Sequence, residues 1–298
     1  MIEVIRNAPL APLTFYGVGG PADELYAIKN PEALEEIWAE TIALNLPKII
    51  LGKGSNLLMS DKGFRGRVFL PKFQKGTWVQ RNIVTVEAGK SWQSFVEETN
   101  KHGWEDLCKL SGIPGNVGGF IRGNAGAFGV ETGDKVLQVE YLDALGILRK
   151  RMQPDCGFAY RESRFKQNPD ELVVRATFRL DQPAGPEMAL NATKELMAER
   201  WAKYPPGRSG GSFFKNPVPG EVFAGKLLEE AGAKGDTIGH AQVSERHANF
   251  ILNLEGKATQ NDILTLARKW RDKVKADTGH TLEPEIFICD EYGKKINL

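Results

Sequence analysis

Residues Ser111–Gly133 read SGIPGNVGGFIRGNAGAFGVETG, and the fold of the chain turns on what this stretch is for. Eight glycines, one proline and two asparagines stand among its 23 residues, with hardly any charge. Glycine serves where the backbone must take positive φ or come close to a ligand. Successive backbone N–H groups in such turns form concave sites for anions, phosphates above all. A mobile linker would be polar throughout, whereas Ile113, Val117, Phe120, Ile121, Phe128 and Val130 give this segment apolar anchors. The reading is an ordered loop wrapped around a diphosphate.

Upstream lies a second, shorter glycine loop. Pro47–Leu51 reads as a short buried strand, which runs into Gly52-Lys53-Gly54-Ser55-Asn56 and leaves through Leu57 and Leu58. Strand, glycine loop and apolar exit is a geometry in which backbone amides meet phosphate. Neither loop belongs to the common nucleotide folds. Gly52–Leu57 gives G-K-G-S-N-L, which lacks the third glycine of a dinucleotide fingerprint. Gly220–Lys226 approaches the phosphate-loop pattern, but Leu227 stands where a magnesium-holding Ser or Thr is needed. Ala224, Leu227, Leu228 and Ala231 have helical spacing, which places Gly225-Lys226 in a helix. No metalloprotease or nucleophile-elbow motif occurs.

The rest of the chain alternates helix and strand signals. Thr14–Asp23 is a Gly/Pro turn, and Pro31–Leu46 a helix with acidic residues in its first half. Val68–Leu70 and Ile83–Val86 read as strands, with Thr77–Asn82 partly paired. Ser91–His102 is a helix capped by Ser91 and stopped at Gly103. Val136–Leu142 and Ile147–Met152 form a hairpin across Asp143–Gly146, and Leu172–Leu180 is a further strand. Asp181–Glu187 (DQPAGPE) is the clearest boundary. Beyond it come helices at Met188–Lys203, Val222–Ala231 and Gln260–Thr278, strands at His247–Leu254 and Leu282–Cys289, and an irregular loop at Tyr204–Gly211. The class is α+β.

Composition narrows the function. At 298 residues with 41% hydrophobic and 26% charged residues, the chain has the make-up of a soluble globular protein of two or three domains. A net charge of +1 gives no electrostatic case for nucleic acid or an anionic membrane. No apolar run is long enough to span a bilayer, and MIEVIRNAPL lacks a signal-peptide layout, so the expected compartment is the cytoplasm. Cys108, Cys156 and Cys289 have neither disulfide-framework nor zinc spacing, and no metal is expected.

Three places carry residues suited to chemistry. In Tyr160-Arg161-Glu162-Ser163-Arg164-Phe165-Lys166, an Arg among aromatics offers a planar cation for a carboxylate or enolate; on spacing alone the stretch reads first as a solvated charge run. In Gly210-Gly211-Ser212-Phe213-Phe214-Lys215-Asn216-Pro217, the glycines bring backbone close, Ser212 offers a hydroxyl proton, and Lys215 and Asn216 offer donors. The same residues also make a good turn. In Leu282-Glu283-Pro284-Glu285-Ile286, alternation sends Glu283 and Glu285 to one face, as an acid/base pair or as two solvated carboxylates. Of the histidines, His247 in VSERHANF is placed to reach a ligand, with a structural role the simpler reading for each.

Taken in order, TFYGVGGPAD, LGKGSNLL, SGIPGNVGGFIRGNAGAFG, YRESRFK, GGSFFKNP, LLEEAGAKG, VSERHANF and LEPEIFI run from residue 14 to residue 288. Together they resemble the UDP-N-acetylenolpyruvoylglucosamine reductase family of flavoenzymes, which complete UDP-N-acetylmuramate for bacterial peptidoglycan. With Ser212 only 51 positions after Arg161, the chain is similar to the compact form that lacks a tyrosine-bearing insertion.

The resemblance implies an FAD-binding fold of the vanillyl-alcohol-oxidase type followed by an α+β substrate-binding domain. Its first FAD-binding subdomain would be residues 1–75, to which the tail 288–298 returns, its second 76–184, and the substrate domain 185–287. The FAD pyrophosphate would lie against Gly52, Lys53, Gly54, Ser55, Asn56 and Leu57, and against Gly115, Asn116, Val117, Gly118, Gly119, Asn124, Ala125, Gly126 and Ala127. With no His in or beside either loop, FAD would be non-covalent. NADPH would be the reductant and the UDP-sugar the second substrate. Arg161 would stabilise the enolate, Ser212 would donate the proton that quenches it, and Glu285 would help polarise the carboxylate. Tyr160, Lys215, Asn216 and His247 would contact substrate. A monomer is expected. Another FAD-dependent oxidase of the same fold, or a non-catalytic nucleotide-binding regulator, would keep the glycine loops without needing Arg161, Ser212 and Glu285 together.

Overall fold

A computed structural model describes residues 2–298. The chain divides into two compact units that interleave along the sequence. One comprises the chain up to Ile5, Leu25–Gly52 and Val68–Arg200; the other comprises Arg6–Glu24, Lys53–Arg67 and Trp201–Leu298. The strands Ile2–Pro9, Pro21–Ile28 and Phe64–Pro71 carry the chain from one unit to the other. The boundary expected at Asp181–Glu187 therefore falls later, because the helix Pro186–Lys203 stays with the first unit as far as Arg200.

The first unit is built on a five-stranded antiparallel sheet in the order Leu148–Met152, Val136–Leu142, Leu172–Arg179, Ile83–Glu87, Gly76–Gln80. The hairpin closes where expected: Asp143 Oδ1 accepts from the amides of Leu145 and Ile147, and Gly146 takes φ +74°. The helix Trp92–Lys101 buries Trp92, Phe95, Val96 and Thr99, the stripe its sequence period sets. Trp92 lies flat on Phe120, with ring centroids 4.0 Å apart, which fixes the glycine-rich stretch to the core. Contrary to a wholly looped reading, Val117–Gly123 is a short helix. Glycine is a poor helix former, so packing of Val117, Phe120 and Ile121 in the core carries it. The strand at Lys48–Ile50 is half-exposed rather than buried.

The second unit has its own core around Tyr16, Phe213, Phe214, Leu228, Ile263, Leu266, Trp270 and Ile286. The helix Gln260–Thr278 runs over the predicted span because its ends are chemically marked. Thr259 and Asp262 form a reciprocal capping box, and Gly279 closes the other end at φ +77°. A three-stranded antiparallel sheet follows the order Thr237–Ile238, Ala241–Val243, Ile251–Asn253.

Two strands shrink relative to expectation. Only Ile251–Asn253 of His247–Leu254 is strand, since the amide of Phe250 turns back to the carbonyl of His247 at 3.0 Å. Only Phe287–Ile288 of Leu282–Cys289 pairs regularly, parallel to Leu57–Leu58, because Pro284 has no N–H to give a ladder. The N-terminal strands Ile2–Pro9 and Pro21–Ile28 carried no period-2 signal strong enough to be read. Among the described residues, no helix is long and apolar enough to cross a membrane.

Candidate active site

In the first unit, the glycine-rich stretch is a cradle held from beneath. Gly118 N–H donates to Ala88 O at 2.8 Å and Val117 N–H to Lys90 O at 3.0 Å, which presses the short helix onto the chain leaving Ile83–Glu87. A Cβ on Gly118 would stand 3.0 Å from Cβ of Ala88, so only glycine permits the approach without displacement. Asn116 Oδ1 caps the helix through Gly119 N–H at 3.1 Å. A Cβ on Gly52 would stand 2.6 Å from that same Oδ1, so the first glycine of the shorter loop also meets the central stretch. The amides of Val117, Gly118 and Gly119 are thus spent inside the protein, whereas those of Gly115 and Asn116 have no acceptor among the described residues. Two neutral donors beside a surface kept bare of side chains fit the oxygens of a dinucleotide phosphate.

Further along, Asn124 is 1% exposed and its amide is fully occupied. Its Nδ2 donates to Glu131 Oε2 at 2.6 Å and Ala159 O at 2.9 Å, while its Oδ1 accepts from Gly133 N–H at 2.9 Å. Asn124 therefore shapes the loop and has no side-chain donor left for a cofactor. The backbone of Ala125 is likewise used: its amide binds Phe120 O and its carbonyl accepts from Thr132. Gly126 and Ala127 form a two-residue strand with Val130–Glu131.

Arg161 sits at the second corner of a tight turn closed by reciprocal backbone bonds between Ala159 and Glu162, with φ +58°. A non-glycine residue in that region carries strain of about 1 kcal/mol or more. The conformation is held from three directions: Arg161 Nη2 donates to Gly126 O at 3.0 Å, its guanidinium lies 5.1 Å from the Tyr160 ring centroid, and Lys166 Nζ donates to its carbonyl at 2.6 Å. The arginine predicted from YRESRFK is thus a fixed planar cation beside the glycine-rich stretch. Tyr160 supports it as a platform. Beneath, Arg122 is half-buried; desolvation pulls its guanidinium below the ordinary value, and the Glu162 carboxylate opposes that shift.

In the second unit, the chain passing Ser212 is flanked by the acidic segment. Glu285 N–H donates to Phe213 O at 2.8 Å and Lys215 N–H to Glu283 O at 2.8 Å, with Phe214 opposite Pro284. Ser212 and Glu285 therefore meet through neighbouring backbone, although 73 positions separate them in the chain. Gly211 takes φ +82° on the approach, and a Cβ on Gly210 would stand 2.6 Å from Cε2 of the buried Tyr16. The Ser212 hydroxyl is half-buried and has no hydrogen-bond partner among the described residues. Burial drives the Tyr16 hydroxyl far above its ordinary pKa, so it stays protonated.

The shorter glycine loop continues here. Gly54 takes φ +65° against Leu13 O, and Asn56 is engaged by the acidic segment: its Nδ2 donates to Glu285 O at 3.3 Å and its carbonyl accepts from Phe287 N–H at 3.1 Å. Leu57 is buried and pairs with Phe287. Lys53, Ser55 and Lys215 each hold protein contacts. Asn216 Oδ1 accepts from Ala224 N–H at 3.1 Å and so ties the loop to the helix Ala224–Glu230. His247 lies against Phe250 and Tyr204, and its Nδ1 accepts from Asn249 N–H at 3.2 Å. Burial lowers the His247 pKa, opposed by the Glu229 charge. With Nδ1 accepting, neutral His247 carries its proton on Nε2. Sequence reasoning passed over Asn249, Tyr16 and Arg122. For Asn249 a signal was available: a lone amide between Ala248 and Phe250 in an apolar run must find partners once buried.

A bare glycine cradle with free amide donors, followed by a fixed arginine, fits a nucleotide-binding enzyme, and the comparisons make it a flavin-dependent oxidoreductase. Residues 22–150 match the family model for an FAD binding domain, and residues 202–289 match that for the UDP-N-acetylenolpyruvoylglucosamine reductase C-terminal domain. Relatives called UDP-N-acetylenolpyruvoylglucosamine reductase include one from Gloeobacter violaceus, 39% identical over 93% of this chain and 93% of its own length. Another, from Protochlamydia amoebophila, is 39% identical over 94% of this chain and 92% of its own. The crystal structure of the UDP-N-acetylenolpyruvylglucosamine reductase from Thermus caldophilus superposes with a TM-score of 0.80 at 33% identity, covering 97% of this chain and 98% of that one. The chain belongs to the UDP-N-acetylenolpyruvoylglucosamine reductase family. Its fold is the α+β FAD-binding fold with a C-terminal α+β domain, and its cofactor is FAD.

Proposed function

We propose that this chain is the NADPH-dependent flavoenzyme that reduces the enolpyruvyl group of UDP-N-acetylglucosamine enolpyruvate to UDP-N-acetylmuramate, a peptidoglycan precursor, in the bacterial cytoplasm. The observation that carries the reading is Ser212. It is a half-buried hydroxyl without a hydrogen-bond partner among the described residues, next to Phe213, whose carbonyl accepts from Glu285 N–H. FAD, when bound, would supply the hydride chemistry that links NADPH to the methylene carbon of the enolpyruvyl group.

The protein's own residues handle the charge and the proton. Addition at the methylene carbon leaves an electron pair on the neighbouring carbon and its carboxylate. Arg161, already oriented by Gly126 and Tyr160, stabilises that enolate without reorganising. Ser212 Oγ–H gives its proton to the enolate carbon, where the new C–H bond forms, and the serine oxygen regains a proton from water. A serine is a poor acid in water, and an enolate carbon is basic enough to take its proton. Glu285 assists in polarising the substrate carboxylate. Gly115 and Asn116 amides hold the FAD pyrophosphate, and Lys215 and His247 contact the UDP-sugar.

The test separates the half-reactions. Ser212→Ala is expected to bleach normally with NADPH under anaerobic conditions, and to recover its flavin absorbance with the enolpyruvyl substrate about 10²–10⁴-fold more slowly. Equal damage to both steps would make Ser212 structural. Rapid recovery in air without the sugar nucleotide would favour an oxidase.

A further inference from the structure

All four backbone polar groups of the two residues after the proton-donating serine are paired, three of them by Asn249. Phe213 N–H donates to Asn249 O at 2.7 Å. Phe214 N–H donates to Asn249 Oδ1 at 2.9 Å, and Asn249 Nδ2 donates back to Phe214 O at 2.9 Å. Asn249 thus imitates a neighbouring strand for the two residues after Ser212, on the edge opposite Glu283–Glu285. It is 4% exposed, so no water replaces these bonds. Its own amide donates to His247 Nδ1 at 3.2 Å, and a Cβ on the facing Gly225 would stand 2.9 Å from His247 Cε1. One residue therefore holds the serine strand and sets the histidine tautomer.

We propose that Asn249 is a positioning residue for proton delivery: by clamping both polar groups of Phe214 it fixes the direction from which the Ser212 hydroxyl meets the enolate carbon. The inference rests on Ser212 being the donor. A misplacement of about 1 Å at a reacting group costs on the order of 10²-fold in rate, and the Asn249 clamp holds the strand against such a shift.

Asn249→Leu keeps the volume and removes both side-chain bonds; Asn249→Asp keeps the acceptor for Phe214 N–H and removes the donor. Flavin recovery with saturating enolpyruvyl substrate is expected to slow about 10–100-fold in Asn249→Leu and less in Asn249→Asp. NADPH bleaching and the KM for the sugar nucleotide should stay near wild type, and the solvent deuterium isotope effect on recovery should rise. Amide exchange at Phe214, read without any substrate or cofactor, should accelerate in Asn249→Leu and less in Asn249→Asp, which keeps the acceptor for that amide. Adding Asn249→Leu to Ser212→Ala should slow recovery no further. If Asn249→Leu does not fold, Asn249→Asp decides by the same readings. Equal losses in bleaching and recovery, or a full additional loss on top of Ser212→Ala, would overturn the inference. Normal recovery in the Asn249 variants alongside a crippled Ser212→Ala would overturn it while leaving the serine in place. Normal recovery in Ser212→Ala would remove the serine itself.

Discussion

Three asparagines show how one side chain is used in three ways. Asn116 caps the start of a helix, Asn124 knots a loop at φ +41°, and Asn249 pairs with a strand. In each case the amide's two-sided chemistry matches a local shortage of backbone partners. His247 adds a pH dependence at the same scale. Burial lowers its folded pKa below the ordinary 6.5. As pH falls through that value the unfolded chain takes up the proton first, so stability declines with acidification in this window and is unaffected above it. Thermal melts of wild type and His247→Gln from roughly pH 5 to 8 should therefore converge in slope above about 6.5, the variant losing the acid-side decline. Parallel melting curves throughout would mean His247 titrates normally.

At the scale of the element, the helix Val117–Gly123 tests whether glycine is there for approach or for flexibility. A Cβ on Gly118 meets Ala88 at 3.0 Å, whereas one on Gly123 meets nothing within 4 Å. Gly118→Val is expected to lift the helix from its support and give largely flavin-free protein. Gly123→Ala should stay yellow and gain up to about 1 kcal/mol from helix propensity. Visible spectra of the two purified proteins decide it, and a fully yellow Gly118→Val would contradict the cradle. The long helix Gln260–Thr278 is the opposite kind of element. Its cap box, its apolar period and its terminal glycine agree with one another, so its bounds could be read from sequence.

At the scale of the whole chain, each unit closes on residues far apart in sequence. Asn253, 4% exposed, donates from Nδ2 to Tyr16 O at 2.7 Å and accepts at Oδ1 from Ala258 N–H at 2.7 Å. It joins the segment Arg6–Glu24 to the body of the second unit. Asn253→Ala leaves two buried backbone groups unpaired and should cost about 2–4 kcal/mol, seen as a lower urea midpoint. A loss under about 0.5 kcal/mol, the range of an inert surface change, would rule out that role.

The glycine-rich stretch, the capped helices and the hairpin at Asp143–Gly146 were legible in the sequence because local chemistry specifies them: turn residues, caps and a period of apolar side chains. The reactive residues were legible as types in motifs, Arg161 between aromatics, Ser212 after two glycines and Glu285 in LEPE. Their surroundings were not. That Ser212 runs beside Glu285, that Asn249 holds that strand, and that Val117 and Gly118 spend their amides on Lys90 and Ala88 depend on contacts between distant segments. So does the interleaving of the two units, set by three strands that carry the chain between them. Sequence alone determined which backbone can bend and which groups can react. Tertiary structure decided which amides remain free and which side chains meet, because hydrogen-bond partners and burial arise only when separated segments pack.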